Sequence, residues 1–432
     1  MKFRKIPKAS GKYRYYDFCR FCLSRELETV INLGHVPLAG GFLTSISPNK
    51  IKNEKLYPLE IGFCNSCFLL QTRVVVDASI LFKNYYYFTS FIRTLVDHFE
   101  KLSQEFKKIH KKPKGKFIVE IGCNDGSLLF DLMNKGFNVL GVDPASNVVK
   151  PLIKKGLPII NNFFTEKLAK KIEKKYGKAD HITSSNTLAH IEDMRDIMRG
   201  ISLLLSDNGI LTFEVHYLGK LIEKLQYDMI YHEHQYYYSL HTLINFLQQF
   251  DLKIYDVKET SIHSGSIRVY AQKTIGKRKI MPNVKKILTK EKKQKLMSRD
   301  TFINFDREIQ KHKNKFKHTV EEINVKKLSI MGYGASGRAT TLINFCGLEK
   351  ELMPYILDDS AVKQGSYVPG KHQKIIDSEI LYSTRRPQYV VLFAWAFYKE
   401  ILSKHKEFID RGGKFIIPLP KIKIIDWKHI NE

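Results

Sequence analysis

Residues 117–143 read FIVEIGCNDGSLLFDLMNKGFNVLGVD, and their alternation decides the fold class. The opening is a short apolar run of the kind that builds a buried strand. The strand ends in Glu120, Gly122 and Gly126 bracket a turn, and SLLFDLMNKG continues as a helix. Glycines there let the backbone approach a ligand, and the helix N-terminus faces it. A second strand, NVLGVD, ends in Asp143. A carboxylate about 21 residues beyond such a loop can hold a ribose diol. NAD and S-adenosylmethionine use similar geometry, so the loop alone leaves both open, beside a plain strand-to-helix turn that binds nothing. The pattern E-x-G-x-x-x-G, rather than G-x-G-x-x-G, leans to S-adenosylmethionine. Glu120, Gly122, Asn124, Asp125, Gly126 and Asp143 are the candidate cofactor residues.

The same alternation recurs on both sides. HITSSN, ILTFEV, KIYDVK and IRVYAQK read as strands between helical patterns, which argues for an α/β sheet. A chain of 432 residues is too long for one compact domain. Residues 1–78 form a cysteine-bearing, turn-rich module, and 79–276 the central domain, with a helical lead-in over 79–115. Residues 277–325 are highly charged and nearly free of Gly and Pro, and read as a solvated helical connector. Residues 326–432 repeat the α/β pattern, and VVLFAWAF at 390–397 suits a buried strand.

No stretch approaches the length of about 20 apolar residues needed to span a bilayer. The basic N-terminus lacks the apolar core of a secretory signal, so a cytoplasmic location is expected. The net charge is +27. It suits a nucleic-acid binder, a lysine-rich solvated surface, or an anionic small substrate. The lysines are spread along the chain rather than gathered in one arm, so no specific nucleic-acid partner is expected.

Cys19, Cys22, Cys64 and Cys67 form two CxxC pairs, CRFC and CNSC. Each pair can offer one edge of a tetrahedral zinc site, and together they supply four thiolates. Disulfides are disfavoured in a cytosolic chain, and a redox CxxC would not need duplicating. Four protein ligands leave no open position, so the metal is expected to be structural. Cys123 and Cys346 stand alone and read as packed side chains.

Two further segments fall where strands should end, the place where open α/β sheets bind ligands. SSNTLAHIED carries Asn186 and His190, and YDMIYHEHQYYYSL carries Tyr231, His232, Glu233 and His234. Imidazole, carboxylate and phenol together can move a proton from carbon and hold an enolate. The competing reading is a polar, aromatic loop that only lines a cleft. A second glycine loop, GYGASG at 332–337, is a literal G-x-G-x-x-G between a strand and a helix, with Asp358 and Asp359 closing the next strand. It marks a nucleotide or phosphate site without naming it, and Arg338 could pair with a phosphate.

These stretches resemble, in order and over nearly the whole chain, the three-domain S-adenosylmethionine-dependent C-methyltransferases that act on nucleotide-linked keto-deoxysugars, the tetronitrose-enzyme type. CRFC, LGHVPLAGGF and YPLEIGFCNSCFLLQ carry the likeness in the N-terminal module. LFKNYYYFTS, EIGCNDGSLL, NTLAHIED, YHEHQYYYSL and IHSGSIRVY carry it in the centre, and GYGASGRATTLIN, LDDSAVKQGSYVPG, FAWAFYKEI and GGKFIIPLP at the C-terminus. The fold implied is α/β: an N-terminal zinc-binding module, a central Rossmann-like class I methyltransferase domain and a C-terminal Rossmann-like domain that binds the nucleotide-linked sugar.

The resemblance also implies roles. His234 matches the general base, and Tyr231, Glu233, His190 and Tyr85 match residues around the sugar. Asn186 joins the cofactor set. His232, His263, Arg268, Gly332, Gly334, Ser336, Gly337, Arg338 and Asp358 fall to the substrate. Gly40, Gln235 and Ser264 depart from the family pattern at sugar-side positions. The reaction implied is methylation at C3 beside a 4-keto group, through an enolate. A nucleic-acid methyltransferase with a structural zinc module, or an NAD-dependent oxidoreductase using GYGASG, are the rivals. No coiled-coil heptad or interface stripe is visible, and the oligomeric state stays open, a monomer included.

Overall fold

The computed structural model describes residues 13–81, 89–91 and 93–427. Tyr85 lies outside the described residues.

The stretch at 117–143 folds as its composition demands. Phe117–Ile121 and Asn138–Val142 pair in parallel, with helix Ser127–Asn134 between them. They sit in a seven-stranded sheet. Its order is Leu252–Thr260, Ser266–Lys273, Leu205–His216, Ala179–Ser185, Phe117–Ile121, Asn138–Val142 and Ile159–Ile160. Ser266–Lys273 runs antiparallel to both neighbours, and the other pairings are parallel. The strand order reverses beside Phe117–Ile121, so a crevice opens at its carboxyl end.

The C-terminal sheet has six strands, in the order Lys374–Ile376, Tyr355–Leu357, Ile330–Tyr333, Tyr389–Leu392, Lys414–Ile417 and Lys423–Ile425. All its pairings are parallel except the last. The apolar run at 390–397 is strand only as far as Leu392; Trp395–Phe397 turns out of the sheet as a 3-10 segment.

The N-terminal sheet is ordered Tyr236–Tyr237, Leu70–Thr72, Tyr57–Cys64 and Leu27–Val36. Its first strand belongs to the YHEHQYYYSL segment, with Tyr236 opposite Gln71. The chain that carries the histidines is thus hydrogen-bonded into the cysteine-bearing module.

The region 277–325 differs from the solvated connector expected. Helix Arg299–Val325 buries Phe302, Phe305, Ile309, His312, Phe316, Val320 and Ile323. Their spacing of three and four residues makes one apolar stripe along the helix. That stripe joins a core shared with Ile31, Ile61 and Phe63 of the N-terminal sheet and with Leu342 and Ile343 of the C-terminal unit. Phe302 and Phe63 are 5.0 Å apart between ring centres. Each such apolar side chain contributes roughly 1.5–3 kcal/mol on burial. Among the described residues, no helix is long and apolar enough to cross a membrane.

Candidate active site

The four cysteines converge as their spacing requires. All four sulfurs lie within 4.8 Å of one another, and Cys19–Cys67 and Cys22–Cys64 are 3.5 Å apart. A disulfide would need about 2.05 Å. A tetrahedron with zinc–sulfur arms of about 2.3 Å has edges near 3.8 Å, so the donor set fits zinc. The two turns match: Leu23 N–H donates to Cys19 O and Phe68 N–H to Cys64 O, each at 2.8 Å. Both residues adopt positive φ, 64° and 63°.

Inside the first turn sits Arg20, fully buried. Its Nη1 donates to Gln235 Oε1 at 2.6 Å and its Nη2 to Gln235 O at 3.1 Å. A residue between two metal ligands therefore grips the chain directly after His234.

At the first glycine loop, Asp143 accepts from Asn124 N–H at 2.9 Å and Ala145 N–H at 2.8 Å, fixing the turn. Burial pushes its carboxyl up. Gly122 has φ +76°, and a Cβ there would overlap the Thr187 side chain. Gly126 caps helix Ser127–Asn134 at φ 73° with no side-chain cap. Asp125 accepts from Ser90 N–H at 2.7 Å. Glu120 is buried, and its Oε2 has no hydrogen-bond partner. Burial, then the charges of Asp143 and Asp125, push its carboxyl well up. Asn186, at φ 55°, donates its N–H to Glu214 O at 2.8 Å. The loop thus combines close backbone approach with an unsatisfied buried carboxyl, Glu120, at the start of a helix.

Beside it stands the histidine–tyrosine cluster. His234 Nδ1 lies 2.8 Å from Met229 O, and Tyr231 OH lies 2.9 Å from His234 Nε2. A carbonyl can only accept, so Nδ1 carries the proton and Nε2 offers its lone pair. Burial, then His190, holds the His234 imidazole well below its ordinary pKa. The His190 ring stands 5.0 Å away, edge to face, and burial lowers its pKa to about 4. Burial raises Glu233 to about 7, against a hydrogen bond from the Gly40 backbone. A Cβ on Gly40 would stand 3.1 Å from Glu233 Oε1.

The C-terminal glycine loop forms a wall of this cluster. A Cβ on Gly337 would stand 3.3 Å from Ala39 Cβ and 3.7 Å from Tyr231 Cζ. Gly332 and Gly334 let the loop pack on Phe393 and Ala394. Ser336 caps helix Gly337–Cys346 through Ala339 N–H. Asp358 accepts from Ala335 N–H at 2.8 Å and pairs with Lys363 at 3.1 Å. Lys363 also donates to Ala335 O at 2.8 Å. An ammonium thus bridges the acid and the glycine loop, where a dinucleotide fold would seat a ribose.

Three expected contacts take other places. His232 turns toward the N-terminal sheet, its Nε2 3.1 Å from Pro58 O, and it is buried. Arg268 is committed to carboxylates, Nε to Glu214 at 2.7 Å and Nη1 to Glu105 at 2.6 Å. Arg338 Nε donates to Asp228 Oδ2 at 2.7 Å, and its guanidinium lies over Trp395. His263, at φ 52°, lines a crevice of about 200 Å³ with Thr94, Ser264 and Glu400.

Two further residues carry no sequence motif: His98, whose Nε2 is 2.7 Å from Glu214 Oε2, and Asp228, which is fully buried. The available signal was a charge inside an apolar run, Glu214 in ILTFEV, since buried charges are paired.

The chain matches three family models: a zinc binding domain over residues 19–82, a methyltransferase domain over 92–257 and a C-methyltransferase C-terminal domain over 261–420. It is 30% identical over 412 residues to C-methyltransferase NovU of Streptomyces niveus, covering 95% of this chain and 97% of that protein. The chain belongs to the C-methyltransferase family. Cys19, Cys22, Cys64 and Cys67 form the four-sulfur cluster of its zinc binding domain. Among solved structures it is similar to a SAM-dependent methyltransferase from Archaeoglobus fulgidus (15% identity, 40% of this chain, 94% of that one, TM-score 0.33). It is also similar to magnesium protoporphyrin IX methyltransferase from Synechocystis (16% identity, 41% and 78%, TM-score 0.32).

Proposed function

We propose that this C-methyltransferase methylates a nucleotide-linked 4-keto-deoxysugar at C3, the carbon beside the ketone. The observation that carries the reading is the His234 imidazole. Its proton is held on Nδ1 by Met229 O, and its Nε2 lone pair faces Tyr231 beside the donor loop.

Carbon is a poor nucleophile until a neighbouring ketone makes an enolate accessible. His234 Nε2 removes the proton α to the ketone, and the C–H electrons pass into the enolate. Tyr231, displaced from Nε2 by the substrate, donates its O–H to the enolate oxygen, with His190 adjacent. S-adenosylmethionine, held at the first glycine loop, would supply an electrophilic methyl for the enolate carbon and leave as the neutral thioether. Glu233, protonated near neutral pH, donates to a sugar oxygen, and the small Gly40 leaves room for it. Glu120, Gly122, Asn124, Asp125, Gly126, Asp143 and Asn186 seat the donor. The Gly332–Gly337 loop closes the pocket over the nucleotide-bearing end. Tyr85 keeps the sugar-side role that the resemblance implies.

The test is methyl transfer from ¹³C-methyl S-adenosylmethionine to a panel of nucleotide-linked 4-keto-6-deoxysugars, with product NMR. A new methyl on the ring carbon next to the ketone supports the reading. Methyl on oxygen, or transfer only to nucleic acid, overturns it.

A further inference from the structure

The turn that fixes the His234 tautomer is anchored outside its own domain. Tyr227–Met229 is a single 3-10 turn, and the carbonyl of its last residue holds His234 Nδ1. Asp228 in the middle is fully buried. Its Oδ2 accepts from Arg338 Nε at 2.7 Å and from Trp395 Nε1 at 2.8 Å, both on the C-terminal unit. Tyr227 OH lies 2.9 Å from His312 Nδ1 on the long helix and 3.4 Å from Cys346 Sγ. His312 Nε2 in turn lies 2.7 Å from Pro418 O. Two consecutive residues of a three-residue turn are thus tied to the C-terminal unit and the helix before it. A buried carboxylate costs free energy unless paired, and a whole buried pair can often be replaced by apolar side chains with little loss of stability.

We propose that Asp228 is a positioning residue, through which the C-terminal unit holds the Met229 carbonyl and so keeps the His234 proton on Nδ1. This rests on reading His234 as the base. The C-terminal unit is then part of the catalytic apparatus as well as a substrate-binding one. A turn released from Arg338 and Trp395 lets the carbonyl drift and the imidazole adopt the other tautomer, which leaves Nε2 without a lone pair. Misplacement by about 1 Å costs on the order of 10²-fold in rate.

The experiment uses the full chain labelled with ¹⁵N-histidine, the His234 signals being identified by their loss in His234→Gln. The wild type is expected to show the Nδ1–H tautomer. Asp228→Ala is expected to lower kcat about 10²-fold and Trp395→Phe about tenfold, with KM for S-adenosylmethionine within twofold. Both should show a mixed tautomer at His234. Asp228→Asn keeps an oxygen for both donors and should restore most of kcat and the tautomer. If Asp228→Ala does not fold, Trp395→Phe decides. Folded variants with unchanged kcat and an unchanged tautomer overturn the proposal. The tautomer signal reports on the turn even if His234→Gln keeps activity, which would sink the base assignment instead.

Discussion

Gly122→Ala is the sharpest single probe of the donor loop. Gly122 sits at φ +76°, where an L side chain costs about 1 kcal/mol or more. The added Cβ would overlap Thr187 Oγ1 and stand 2.6 Å and 2.8 Å from its Cγ2 and Cβ. Overpacking of that kind costs roughly 1–3 kcal/mol. Turning Thr187 aside also breaks its hydrogen bond to Ser185 O, worth about 1 kcal/mol. The sum is about 3–5 kcal/mol, concentrated on the loop proposed to seat the donor. At about 1.4 kcal/mol per tenfold, S-adenosylmethionine affinity should fall at least about 100-fold, read by calorimetry on protein whose circular dichroism is unchanged. Thr187→Gly removes the clashing atoms, so Gly122→Ala added to it should cost only about tenfold or less. A folded Gly122→Ala protein binding within threefold of wild type would refute the reasoning. So would a double variant whose loss equals the sum of the singles.

Other outcomes follow from the same geometry. His234→Gln should lower kcat by about 10²–10⁴-fold while leaving donor affinity unchanged; full activity in a methyl-transfer assay would remove it from the base role. Burial raises the Glu233 carboxyl to about 7, so its protonated share falls as pH rises through that value. The folded state then binds this proton more tightly than the unfolded chain. Its stabilising contribution is present below the ordinary carboxylate range and lost as pH rises toward 7. The rate should decline above about pH 7 in the wild type and stay level in Glu233→Gln, and an alkaline limb that survives in Glu233→Gln assigns it to another group. Cys64→Ser should take zinc from one per chain to near none by metal analysis. It should also lower kcat, because Arg20 loses the turn that aims it at Gln235; full activity without zinc would contradict that link.

The legible parts of the molecule were local. Two CxxC pairs and a strand–glycine–helix run are read within a few residues, because the turn geometry they need is set by neighbours along the chain. In the long helix a high charge density masks the stripe from Phe302 to Ile323, although its spacing of three and four lies in the sequence. The direction of single side chains was not legible. Neighbours in an irregular segment face different ways, so His232 could reach Pro58 while His234 faces Met229 O. Nor were the ties that arm the cluster. Arg20 and Gln235 are 215 positions apart, and Arg338 and Asp228 are 110 apart. No local pattern encodes a pairing at that distance; it exists only once three units share one core.

The proposed role of His234 is to make an enolate of a keto-sugar. Its most direct test is to incubate the enzyme in D₂O with a nucleotide-linked 4-keto-6-deoxysugar and S-adenosylhomocysteine, and follow C3 by NMR. Deuterium should enter C3 with the wild type, and exchange should slow at least about 100-fold with His234→Gln. Methyl transfer to that sugar with no exchange at C3, or exchange unchanged in the variant, would contradict it.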